Sequence, residues 1–122
     1  MTHTRNVGTT GEDFAAKELE KTGIRILCRN FKGTYGEIDI IAEKEKKILF
    51  IEVKLRKMLS QKPSDAVDKE KMQRIILTAN EFLRENTDNT YISSLMPSFC
   101  VFEVYTDKNG IVTHSFLENV YE

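Results

Sequence analysis

The chain has 122 residues, 40% hydrophobic and 30% charged, with 18 Lys and Arg against 19 Asp and Glu. That length suits a single domain able to bury roughly two-thirds of its unfolded surface. No stretch approaches the roughly 20 apolar residues of a membrane span, and "MTHTRNVGTTGEDF" has no signal-peptide core, so a cytoplasmic protein without membrane partners is expected. The net charge of −1 argues against a purely electrostatic nucleic-acid binder, but the charge is unevenly spread. From Lys44 to Arg74 ten basic residues face five acids, a segment of +5 compatible with a phosphate-facing surface.

In chain order, a first helix is predicted from about Thr10, with Asp13 three residues on as a capping partner, to Gly23. Its buried stripe is Ala15, Ala16 and Leu19, and Glu12 falls on the same stripe. "IRILCRNF" (24–31) reads as a strand, followed by the turn "KGTYG". "EIDIIA" and "KILFIEVK" read as a hairpin joined by the four-residue loop "EKEK". A polar loop then leads to a second helix from about Asp65 to Asn86, its apolar stripe running from Val67 to Leu83. "SFCVFEVY" and "IVTHSFLENV" form a last hairpin about Asn109-Gly110. Cys28 and Cys100 have no metal-ligand spacing and read as reduced, packed thiols. The order is α-β-β-β-α-β-β.

In the central hairpin, pairing Glu43 with Ile48 and Ile41 with Phe50 sets Asp39 opposite Glu52. Period-two alternation then collects Asp39, Ile41, Phe50, Glu52 and Lys54 on one face, and Ile38, Ile40, Leu49, Ile51 and Val53 on the other. Both faces are apolar, which calls for helices on both sides of the sheet. Two adjacent carboxylates repel and are costly to bury without a cation. Mg²⁺ or Mn²⁺ suits such a pair, since Mg²⁺ takes one or two carboxylates and keeps other positions for water and phosphate oxygens. Lys54 is placed to serve a water or a phosphate, and Glu12 to add a third carboxylate. The plainer reading of the same residues is an ion-pair cluster at a strand end. Glu12 has its own plain reading, a favourable charge near a helix N-terminus.

The spacing Asp39-x12-Glu52-x-Lys54 after a helix bearing Glu12 resembles the PD-(D/E)xK, restriction-endonuclease-like superfamily. Within it, "GEDFAAKELEKTGIRILCRNFK", "YGEIDIIA", "LFIEVKLRK" and "AVDKEKMQRI" resemble the YraN-type endonuclease-like family, over most of residues 11–80. The resemblance implies an α/β three-layer sandwich spanning 1–122, with a mixed sheet between helices, and kinship with archaeal Holliday-junction resolvases. It implies a Mg²⁺-dependent nuclease acting on DNA, branched or damaged forms included, with Glu12, Asp39, Glu52 and Lys54 as catalytic residues. Asp39, Glu52 and Glu12 would be the metal ligands. Arg56 follows as the basic residue after the E-x-K, and Lys57, Lys71 and Arg74 are further candidates for phosphate contacts. Resolvase-like action would call for a homodimer, with the last hairpin as the candidate edge. The chain departs from the family pattern at Ile38, where proline would stand, at Met72 after Lys71, and at Cys100, where an Asp is usual. The alternative function is a non-catalytic nucleic-acid-binding or protein-interaction module on the same fold.

Overall fold

The computed structural model describes residues 7–58 and 69–120. The helix α1 (Val7–Lys21) is followed by strands β1 (Arg25–Lys32), β2 (Glu37–Lys44) and β3 (Lys47–Lys57), then helices α2 (Lys69–Glu85) and α3 (Thr90–Ser93), and strands β4 (Met96–Asp107) and β5 (Gly110–Leu117). The strands form one mixed sheet in the order β1-β2-β3-β4-β5. Among the described residues only β3 and β4 run parallel, and α2 and α3 lie in the crossover that a parallel pair requires.

The sheet is covered on both sides. Ala15, Ala16 and Leu19 of α1 pack on Ile40, Ala42, Leu49, Ile51, Phe102 and Val104. Ala79 and Phe82 of α2, with Ile92 and Leu95 of the α3 region, pack on Ile38, Ile41, Ile48 and Phe50. This double burial explains why the first half of β3, Ile48 to Ile51, is a continuous apolar run instead of an alternating one. Among the described residues no helix is long and apolar enough to cross a membrane.

The predicted end of α1 matches. Gly23 has φ +89°, its N–H bonds the Glu20 carbonyl, and the Ile24 N–H bonds the Leu19 carbonyl, the double bond of a glycine-terminated helix. The start differs, because the helix is already formed at Val7 and Thr10 lies inside it. The predicted hairpin register also matches, with Glu43 opposite Ile48 and Ile41 opposite Phe50. Its loop is shorter than expected. Lys44 pairs with Lys47, and only Glu45 and Lys46 turn, at φ 48° and 66°, the left-handed pair that suits a tight hairpin. The one-turn α3, capped by Asn89 Oδ1 accepting from the Ile92 N–H, has no counterpart in the prediction. The second-helix positions 65–68, with Val67, lie outside the described residues.

Candidate functional site

The β2–β3 ladder runs from Lys44–Lys47 to Ile40–Ile51 and stops there. Asp39 therefore does not pair with Glu52 across the ladder as the alternation predicted. Its Oδ2 accepts a 2.8 Å hydrogen bond from the Val53 backbone N–H, so a side chain takes the place of a strand. Alternation fails at the same point. Ile38 packs with Ile41 on the α2 side instead of joining Ile40 on the α1 side. The strands separate here, and Asp39 sits in the gap.

A cavity of about 350 Å³ occupies that gap, lined by Glu12, Glu37, Asp39, Glu52, Lys71 and Arg74 among others. Because the sheet is open here, α1 contributes from one layer and α2 from the other. At Gly11 α1 passes close to β3. A Cβ there would meet Leu55 Cδ2 at 2.8 Å, so a larger residue beside Glu12 would require the exposed Leu55 side chain to turn away.

Of the predicted residues, Glu12, Asp39, Glu52, Lys71 and Arg74 share the cavity wall, and Lys54, Arg56 and Lys57 do not. Lys54 is half-buried on β3, opposite Glu103 of β4. Arg56 Nε donates to Glu103 Oε2 at 2.6 Å. Lys57 is exposed at the end of β3.

Two wall or near-wall residues were missed. Glu37 lines the cavity, and its spacing of two from Asp39 was a readable sign. Asn30, at φ 54° in β1, places its amide nitrogen 2.9 Å from Glu12 Oε1 and 3.3 Å from Glu37 Oε2 when the amide is turned to donate. An exposed polar strand residue gave no such sign. Arg29 adds a long 4.0 Å ion pair to Glu12 and a 2.9 Å one to Asp13.

The electrostatics centre on Asp39. Burial pushes its carboxyl up, the Val53 N–H opposes this, and the charges of Glu12, Glu52 and Glu37 raise it further, to about 6. Glu52, with its side chain only 15% exposed, is paired with the Lys71 ammonium. Carboxylate oxygens are the donors that Mg²⁺ and Mn²⁺ prefer, so the chemistry of the set fits a hard divalent cation. Among the described residues no three Asp, Glu, His or Cys side chains stand as a ready-made cage. Mg²⁺ asks for less, since one or two protein carboxylates suffice.

Residues 11–106 match the uncharacterised protein family UPF0102. The chain belongs to this family. A UPF0102 protein of Dictyoglomus thermophilum is 41% identical over 96% of the chain and 98% of its own length. One from Caldicellulosiruptor saccharolyticus is 34% identical over the same shares, and UPF0102 protein TTE1452 of Caldanaerobacter subterraneus is 40% identical over 83% of the chain and 80% of its length. The UPF0102 match begins at Gly11 and so takes in Glu12, the strand gap and the start of α2.

Proposed function

We propose that this chain is a divalent-cation-dependent nuclease of restriction-endonuclease-like fold, hydrolysing phosphodiester bonds in DNA. The observation that carries the reading is the gap between β2 and β3, where Asp39 is raised to about 6 among three other carboxylates and shares a cavity wall with Lys71 and Arg74. A protein gains nothing in stability from crowding acids in this way. Such a cluster is understandable where a cation is to be bound.

Asp39 and Glu52 would hold Mg²⁺ or Mn²⁺, with Glu12 assisting. The cation would neutralise charge on the phosphodiester and acidify a water. The chain's own residues do the rest. Lys71 and Arg74, one turn apart on α2 and both on the cavity wall, would hold phosphate oxygens. Lys54 follows Glu52 by two on β3 and would orient the attacking water or the phosphate. Lys57, exposed at the strand end, would contact the backbone beyond the reacting group, and Arg56 would join it only by leaving Glu103. Action on two strands would call for a second copy, and β5 offers an edge with Ile111 and Val112 exposed.

The test is cleavage of a labelled panel of single strand, duplex, flap and four-way junction with Mg²⁺ or Mn²⁺. Cleavage by the wild type, lost in both Asp39→Ala and Glu52→Gln, is the expected result. Cleavage retained in both variants, in preparations freed of host nuclease, overturns it. One observation favours a second reading, a non-catalytic binding module: Glu52 already has an ammonium partner in Lys71. Under that reading the wild type binds DNA but neither binds divalent cations nor cleaves.

A further inference from the structure

The acid cluster poses a problem that the proposed nuclease must solve. Glu12, Glu37, Asp39 and Glu52 face one cavity, and each pair of neighbouring carboxylates is repulsive. A protein waiting for a cation needs a provisional one. Lys71 has the right properties. It lies in the first turn of α2, on the cavity wall, on a flexible four-carbon stem. Its ammonium is paired with Glu52 Oε2, yet its side chain is 46% exposed, against 15% for Glu52. Glu52 is the more buried partner, and the ammonium sits at the end of a long, half-exposed side chain.

Resting on the reading of a cation site at Asp39 and Glu52, we propose that Lys71 is a displaceable counter-ion. Its ammonium occupies Glu52 while no divalent cation is bound, and cation binding releases it towards the phosphate. Both ions need the same carboxylate, so they compete. Once released, Lys71 stands one turn from Arg74 on the same helix face, two cations lining one cavity. Cation loading thereby changes the α2 wall from acid-paired to phosphate-facing. Cation and phosphate binding then reinforce each other, and by linkage they do so reciprocally. Arg74 differs, because its partner is Glu70 of its own helix at 4.0 Å.

The experiment is calorimetric titration with Mn²⁺ alone on wild type, Lys71→Met and Arg74→Met. It is joined by acetylation of wild-type lysines with and without Mg²⁺, read residue by residue by mass spectrometry. Methionine suits both exposed helix positions, so all three proteins should fold. Lys71→Met is expected to bind Mn²⁺ about fivefold more tightly, the scale of a partly exposed ion pair, and Arg74→Met less than about twofold. Lys71 of the wild type is expected to react faster with Mg²⁺ present. Equal tightening in both variants would mean a general loss of positive charge and overturns the proposal, as does equal affinity of wild type and Lys71→Met. A Lys71 labelling rate indifferent to Mg²⁺ likewise overturns it. In each of those cases the cation site itself stands. Absence of Mn²⁺ binding in all three proteins removes the cation site and this proposal together.

Discussion

Asp39 and Glu103 are carboxylates of the same sheet, one on β2 and one on β4, and their surroundings push them in opposite directions. Burial raises both. Glu103, 8% exposed, meets hydrogen bonds from Tyr105 Oη at 2.9 Å, Arg56 Nε at 2.6 Å and Ser115 Oγ at 3.2 Å. These donors outweigh burial and hold its carboxyl below the usual range. Asp39 has one backbone donor and three acids around it, and ends near 6. Glu103 is a completed ion-pair cluster. Asp39 is in a cluster short of positive charge, which is what separates a candidate site from a structural network.

The sharpest way to break the contrast is to remove the partner of the completed cluster. Arg56→Met leaves Glu103 buried without its cation and should destabilise the protein by about 3 kcal/mol in urea denaturation. Adding Glu103→Leu should recover most of that loss, since an apolar pair does not suffer an orphaned charge. The same treatment of the other cluster should do the reverse. Asp39→Asn keeps an acceptor for the Val53 N–H and removes one of the crowded charges. Thermal unfolding at pH 7.5 should show it more stable than wild type by about 1–2 kcal/mol, after allowance for the solvent exposure of the group. A loss of stability in this variant would mean that the charge of Asp39 is satisfied.

The pH dependence follows from the same shift. Asp39 titrates near 3.9 in the unfolded chain and near 6 in the folded one, so between these values the folded state holds the extra proton. Its contribution to stability is therefore fully present below about pH 4, falls as pH rises towards 6, and is level above that. Wild type minus Asp39→Asn should display this decline. Cation binding should run the other way, weakening below about pH 6 as Asp39 takes a proton. The smallest effect concerns Glu37, which is exposed. Glu37→Gln should lower the Asp39 value by less than about half a unit, measurable by carbonyl NMR titration.

Much of this could be read in the residues, and the failures have physical causes. Alternation and turn chemistry set the hairpin register, because both faces of β3 are buried and a slip by one residue would exchange them. The same alternation misplaced Ile38, since period two assumes an unbroken ladder and Asp39 breaks it by bonding Val53 itself. Glu12 could be placed on the buried stripe of α1 by helical spacing. Its reach to Asp39 depends on how α1 packs across the sheet, which spacing does not reveal. Arg56 reads from the sequence as a phosphate contact, and its engagement with Glu103 is invisible there because the two lie 47 residues apart and meet only across the parallel β3–β4 pair. Lys71 reads from the sequence as a phosphate contact. Its ion pair with Glu52 emerges only when α2 is seen against the gap.

The central claim is that the acids at the β2–β3 gap exist to bind a divalent cation, and calorimetric titration of wild type and Asp39→Asn with Mn²⁺ at pH 7.5 tests it most directly. The account predicts saturable binding in wild type and none in Asp39→Asn, which is at the same time the more stable protein. Binding of equal strength in the two proteins, or no binding in wild type, would contradict it.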